Sequence, residues 1–154
     1  MRFIIGRFLL WAFVFCTIVS LSSCIINQPR YCKEFNNLSL DERKEAVKEN
    51  SVETNFALIR CAYYTEGGPE IADVPIIEGG QASVPFLLSK LESNDEHEQE
   101  RAISLLQDID IQERLQNRTE IITKIEKAVD KMKNEQNRQY SLEMLNKMKG
   151  QRVL

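Results

Sequence analysis

From Asn36 onward, apolar side chains recur three and four positions apart nearly to the end of the chain. That spacing puts them on one face of a helix and obliges the fold to bury helix against helix. The expected fold is all-α, with about three antiparallel helix pairs over residues 39–150. The first pair opens at Ser39, an N-cap with Glu42 three positions on as in a capping box, and runs to about Glu49. Its partner spans about residues 51–65, with Phe56, Ile59, Ala62 and Tyr63 at helical spacing. The short break at Asn50-Ser51 predicts that these two helices are antiparallel neighbours. The second pair lies at about 82–109. The third shows Ile121, Ile122, Ile125, Ala128, Val129 and Met132, a turn near Asn134, then Tyr140, Met144, Leu145 and Met148, with Gly150 as a C-cap.

Between the first two pairs, residues 66–81 hold Gly67-Gly68-Pro69, Pro75 and Gly79-Gly80, a composition that stops helices and predicts a long surface connection. Ile71, Val74, Ile76 and Ile77 lie between the glycines, so the loop is expected to tuck an apolar middle against the helices. A binding loop is the alternative.

The N-terminus carries a second strong pattern. Arg2 and Arg7 flank a short basic opening, and residues 8–19 follow with only Thr17 polar. That is the layout of a secretory leader, and the run is shorter than the roughly 20 apolar residues of a spanning helix. An uncleaved anchor is the alternative. The run ends at Leu21-Ser22-Ser23-Cys24, which resembles the lipobox of bacterial lipoproteins: an aliphatic residue, two small ones, then the modified cysteine. The resemblance implies cleavage after Ser23, a diacylglycerol on the Cys24 thiol and a further acyl chain on its amine, so that residues 1–23 are a leader and 24–38 a lipidated N-terminus and short tether. Two or three acyl chains, at about 0.8 kcal/mol per buried methylene, hold a protein on a bilayer stably. The following residue is Ile25 rather than Asp, which by the same resemblance points to the outer membrane of a two-membrane cell, facing the periplasm.

Of four cysteines, Cys16 would leave with the leader and Cys24 would be acylated, which leaves Cys32 and Cys61. In an oxidising compartment an even pair reads as a disulfide, and the approach to the first helix lies where it could meet the end of the second. Two buried free thiols are the alternative.

Within the second pair, Val84-Pro85 followed by Leu87, Leu88 and Leu91, then Asp95 and, six positions later, Arg101, resembles one HEAT-type helical repeat. The resemblance covers about 28 residues and implies that Pro85, Asp95 and Arg101 are structural, the Asp and Arg holding adjacent turns, while Ala102, Leu105, Leu106 and Ile109 face the core. The pairs begin about 43 and 37 residues apart, close to the period of HEAT and armadillo arrays. The first and third pairs lack the Pro and the Asp/Arg signature, so an irregular helical bundle is the alternative to a short array.

Charge is unevenly spread. Residues 24–113 carry 8 Lys/Arg against 18 Asp/Glu, whereas residues 114–154 carry 10 against 5. The overall balance of -3 gives no reason to expect nucleic acid, and the asymmetry reads as solvated helix faces and attraction between the halves. His97, the only histidine, is flanked by Glu96 and Glu98 and reads as a surface residue near a helix start. The acidic run from Asp95 to Glu100 lacks the alternation and glycine of a calcium loop, and two thiols with one histidine do not make a zinc site. No nucleophile elbow, phosphate-binding glycine loop or paired zinc histidines occur. The expectation is a non-enzyme without cofactor or metal.

Stacked helix pairs present extended faces that bind other proteins. The expected function is a membrane-anchored envelope lipoprotein that acts as an adaptor, its partners the membrane through Cys24 and another envelope protein. The alternatives are an immunity-like inhibitor that neutralises a periplasmic toxin or hydrolase with the acidic half, and an enzyme or small-ligand carrier.

Overall fold

The computed structural model describes residues 29–62 and 67–150. The leader, the lipobox and Cys24 lie outside the described residues, as do Tyr63 and the end of the predicted 51–65 helix. The described residues are all-α, with helices α1 Arg30–Asn36, α2 Leu40–Glu49, α3 Val52–Ala62, α4 Glu70–Glu78, α5 Val84–Lys90, α6 Glu96–Glu113, α7 Arg118–Lys131 and α8 Glu135–Met148, and a 3-10 turn at Gly80–Ala82.

Local chemistry sets most of these boundaries. Ser39 and Glu42 form the predicted capping box: the Ser39 N–H donates to Glu42 Oε2 at 2.8 Å and the Glu42 N–H to Ser39 Oγ at 3.4 Å. Asp95 caps α6 by accepting from the His97 N–H, and Asn134 caps α8 by accepting from the N–H groups of Gln136 and Asn137. Pro85 stands in the first turn of α5, where a missing N–H costs nothing. Gly150 follows α8 with φ 73°, a conformation that suits a residue without a Cβ.

Of the predicted loop 66–81, the described residues 67–81 are not a surface loop. Gly67 and Gly68, both at positive φ (92° and 59°), make a turn, and helix α4 follows directly. Pro69 precedes its first turn, where no N–H is needed, and Pro75 within it leaves only the Ile71 carbonyl without its usual helical donor. That loss is outweighed by burial of Ile71 and Ile76, each side chain of this size contributing about 1.5–3 kcal/mol when fully buried, with Ala72 buried between them. The Ser83 hydroxyl donates to the Ile76 carbonyl at 2.8 Å, which ties the end of α4 to the start of α5. The apolar middle does pack inward, as a helix rather than as a tucked loop.

Helix α4 also changes the pairing. It packs extensively along α3 and also contacts α2 and α6, while α2 and α3 are not a closely packed pair. The expectation that they lie antiparallel along their length is therefore corrected. Their corner is fixed instead by Asn55, which is buried, donates to the Val47 carbonyl at 2.8 Å and accepts from Asn50. The second and third pairs, α5 with α6 and α7 with α8, pack as expected, and α6 packs most closely on α8. Helix α6 is the centre of the molecule: Ala102, Leu105, Leu106 and Ile109 are buried on the predicted face, and Ile103 is buried as well.

Candidate functional site

Helix α1 lies inside the segment 24–38 that the sequence presents as a tether. Its Cys32 forms a disulfide with Cys61 near the end of α3, with the Cα atoms 5.0 Å apart and both residues buried. Phe35 is buried one turn further along, beneath the Arg43 guanidinium, whose carbon lies 5.9 Å from the ring centroid. Arg43 Nε also donates to the Leu38 carbonyl at 2.9 Å. Part of the segment read as a tether is thus held to the domain by a covalent bond, an apolar anchor and a cation over an aromatic ring.

The N-terminal turns of α6 lie against the same region. Asp95 pairs through Oδ2 with Arg60 of α3 while Oδ1 caps α6. Burial acts to raise the Asp95 pKa, but the hydrogen bonds from Arg60 and His97 and the guanidinium charge outweigh it, and the net direction is down. Arg101 pairs with Asp73 of α4, both largely withdrawn from solvent. Asp95 and Arg101 therefore do not hold each other. Each reaches back to an earlier element, one to α3 and one to α4, and together they dock α6 on the N-terminal helices.

Between these elements runs a groove of about 510 Å³. Tyr31 of α1, half exposed, stands on one side, Phe56, Ala57 and Arg60 of α3 form its base, and His97, Glu100 and Arg101 of α6 close the other side. Phe56 meets Phe86 edge to face, with centroids 5.4 Å apart, and Lys90 Nζ lies over both rings at 5.3 and 5.5 Å while it pairs with Glu98 at 3.1 Å. Burial raises the Glu100 pKa, and the neighbouring His97 opposes that shift. An aromatic base with charged groups of both signs around it is suited to holding a side chain of a partner.

Of the described residues singled out in the sequence, Arg101 and His97 line this groove, Asp95 pairs with its lining residue Arg60, and Cys32 and Cys61 are the chain neighbours of its lining residues Tyr31 and Arg60. Pro85 stays apart, exposed at the start of α5. His97 is exposed on the rim. The acidic run is divided among separate tasks: Asp95 caps, Glu98 pairs with Lys90, and Glu96 accepts from the N–H groups of Lys133 and Asn134 at 2.7 and 2.8 Å. Among the described residues no group of His, Cys, Asp and Glu side chains could hold a metal ion, and no described helix is long and apolar enough to cross a membrane. Tyr31, Arg60 and Asp73 escaped sequence reasoning. Tyr31 has only its place beside Cys32 to mark it, and Asp73 sits in the segment that reads as a loop. No family model, curated protein or solved structure matches the chain.

Proposed function

We propose that this protein is an exported envelope lipoprotein, anchored by acyl chains on Cys24, that serves as a non-enzymatic adaptor for another envelope protein. The observation that carries the reading is the sequence Leu21-Ser22-Ser23-Cys24 at the end of a short apolar run behind two arginines. The lipobox resemblance adds the outer membrane as the address. The Cys32–Cys61 disulfide supports export, because such bonds persist in oxidising compartments. Pro29, the first described residue, is five steps from Cys24, at most about 18 Å of extended chain. Helix α1 and the groove beside it would then face the membrane surface, where a membrane protein or an envelope assembly is the partner within reach. The HEAT-type resemblance belongs to the same reading: α5 and α6 pack as one helix pair, although Asp95 and Arg101 pair with the preceding helices α3 and α4 rather than holding adjacent turns.

The test is detergent phase partitioning of the protein expressed in a bacterial host, with intact mass, beside a Cys24→Ala variant. The reading expects a wild type that lacks residues 1–23, carries acyl mass and enters the detergent phase, while the variant does none of these. A wild type of full-length mass without acyl addition would overturn it.

A further inference from the structure

On the opposite side of the α6 start from the aromatic groove lies a second groove of about 650 Å³, between α7 and the turn that joins α5 to α6. Lys124, Lys127 and Lys131 follow one another at helical spacing along α7, and Lys133 continues the row past its end. All four are exposed. Lys124 pairs with Glu120 at 2.9 Å, and Lys133 feels the charge of Glu96. Lys127 and Lys131 make no ion pair among the described residues. The helix dipole favours a cation in the last turn, which accounts for Lys131 and for neither of the lysines before it. Of the acids at this groove, Glu96 is engaged by two backbone N–H groups, and Glu92, on the rim, makes no ion pair among the described residues.

Leu88, Leu91 and Ala128 supply the apolar part of the groove's mixed lining. Gln99 also lines the groove and is 8% exposed. Its amide nitrogen donates to the Ser93 carbonyl at 2.6 Å, which fixes the orientation of the group, and its Oε1 has no donor among the described residues. A buried acceptor without a donor is costly, and a ligand that brings an N–H removes that cost.

We infer that this groove binds an acidic segment of another protein, whose carboxylates meet the lysine row, whose apolar side chain covers Leu88 and Leu91, and whose N–H reaches Gln99 Oε1. The phosphodiester of an anionic lipid matches the lysines, but it offers acceptors where Gln99 requires a donor. The inference deepens the adaptor reading and rests on it only in taking the occupant to be a protein. The excess of 10 basic over 5 acidic residues in 114–154 supplies a field that steers such a segment toward α7.

The experiment uses the full chain in detergent and a fluorescent peptide of alternating leucine and glutamate, with a leucine–lysine peptide and phosphatidylglycerol vesicles as comparisons. Fluorescence anisotropy reads peptide binding, and co-sedimentation reads the vesicles. The acidic peptide should bind, more weakly as salt is raised, and the basic one should not. Lys127→Glu with Lys131→Glu should weaken binding by about tenfold or more, and because both side chains are exposed the helical circular dichroism should not change. Gln99→Met, which keeps the side-chain length, should weaken binding by about threefold to tenfold without altering the salt dependence. Equal affinity in the charge-reversed variant overturns the inference, as does vesicle binding that the charge reversal weakens in a protein that ignores the acidic peptide. A wild type that enters the detergent phase yet ignores the acidic peptide defeats the groove and leaves the anchor standing. One that binds the peptide but stays in water does the reverse.

Discussion

Helices α1–α4 and helices α6–α8 bury comparable kinds of side chain but are held together differently. The first group is built from short helices of 7 to 11 residues, each with little face to offer. Ties between elements supplement its apolar contacts: the Cys32–Cys61 disulfide, Asn55 on the Val47 carbonyl, Arg60 with Asp95, and Arg101 with Asp73. The second group has helices of 18, 14 and 14 residues, and its long faces close over Leu106, Ile109, Ile125, Val129 and Leu145. Its polar contacts sit at the turns and surface, where Asp110 accepts from Arg118 and Glu126 pairs with Lys149. Short helices cannot reach a stable packing on area alone, so covalent and charged links supplement it. Of these links the disulfide, at Cys32, falls where the proposed anchor joins the domain.

Truncation in the second group should have the largest effect. Leu106→Ala removes a fully buried side chain from the central helix and should cost about 3–5 kcal/mol, read from urea unfolding. Reduction of the disulfide comes next. Closing a loop over a separation of 29 residues stabilises by about 3–4 kcal/mol in the chain-entropy model, and the same urea curve with and without reductant measures it. A smaller change follows from Arg101→Ala, which leaves Asp73 without its cation and should cost about 2 kcal/mol. If Leu106→Ala cost less than Arg101→Ala, the contrast between packed and tied regions would be broken.

Two pH effects sharpen it further. The Asp95 pKa is lowered in the folded state, so its contribution is present above the ordinary carboxylate range and is lost as pH falls through the folded pKa. Asp95→Ala should therefore cost about 1 kcal/mol near neutrality and progressively less below about pH 4. Glu100 carries the opposite sign. Burial raises its folded pKa, so ionisation weakens the fold as pH rises. Glu100→Gln should be slightly more stable than wild type at neutral pH, the smallest effect of the set, and should lose that advantage in acid. Thermal unfolding followed across pH measures both.

The same contrast explains what could be read from the amino-acid sequence. Helices α6, α7 and α8 are long enough for periodicity to show, and the turn near Asn134 is legible between the last two, whereas the capping roles of Asp95 and Asn134 emerge only in the structure. The disulfide was legible from cysteine arithmetic, because it needs no knowledge of packing. Helix α4 was not, because Pro69, Pro75 and four flanking glycines outweigh its apolar residues locally, and only the burial of Ile71, Ala72 and Ile76 reverses the balance. That same error misassigned the neighbour of α3, since a short turn after α2 indicates antiparallel packing only when no other helix offers a better face. The grooves were hidden for a related reason. The aromatic groove takes residues from three helices, and the basic one joins α7 to a turn some 30 residues earlier.

Hydrogen exchange resolved along the chain, before and after mild reduction, tests most directly whether ties rather than area secure the region next to the proposed anchor. The account predicts that reduction accelerates exchange most in α1 and α3 together, through local opening, while the protected amides of α6 and α8 accelerate by no more than the loss of global stability that the urea curve gives. Uniform acceleration across all helices would contradict it, and so would unchanged exchange in α1 once Cys32 and Cys61 are free thiols.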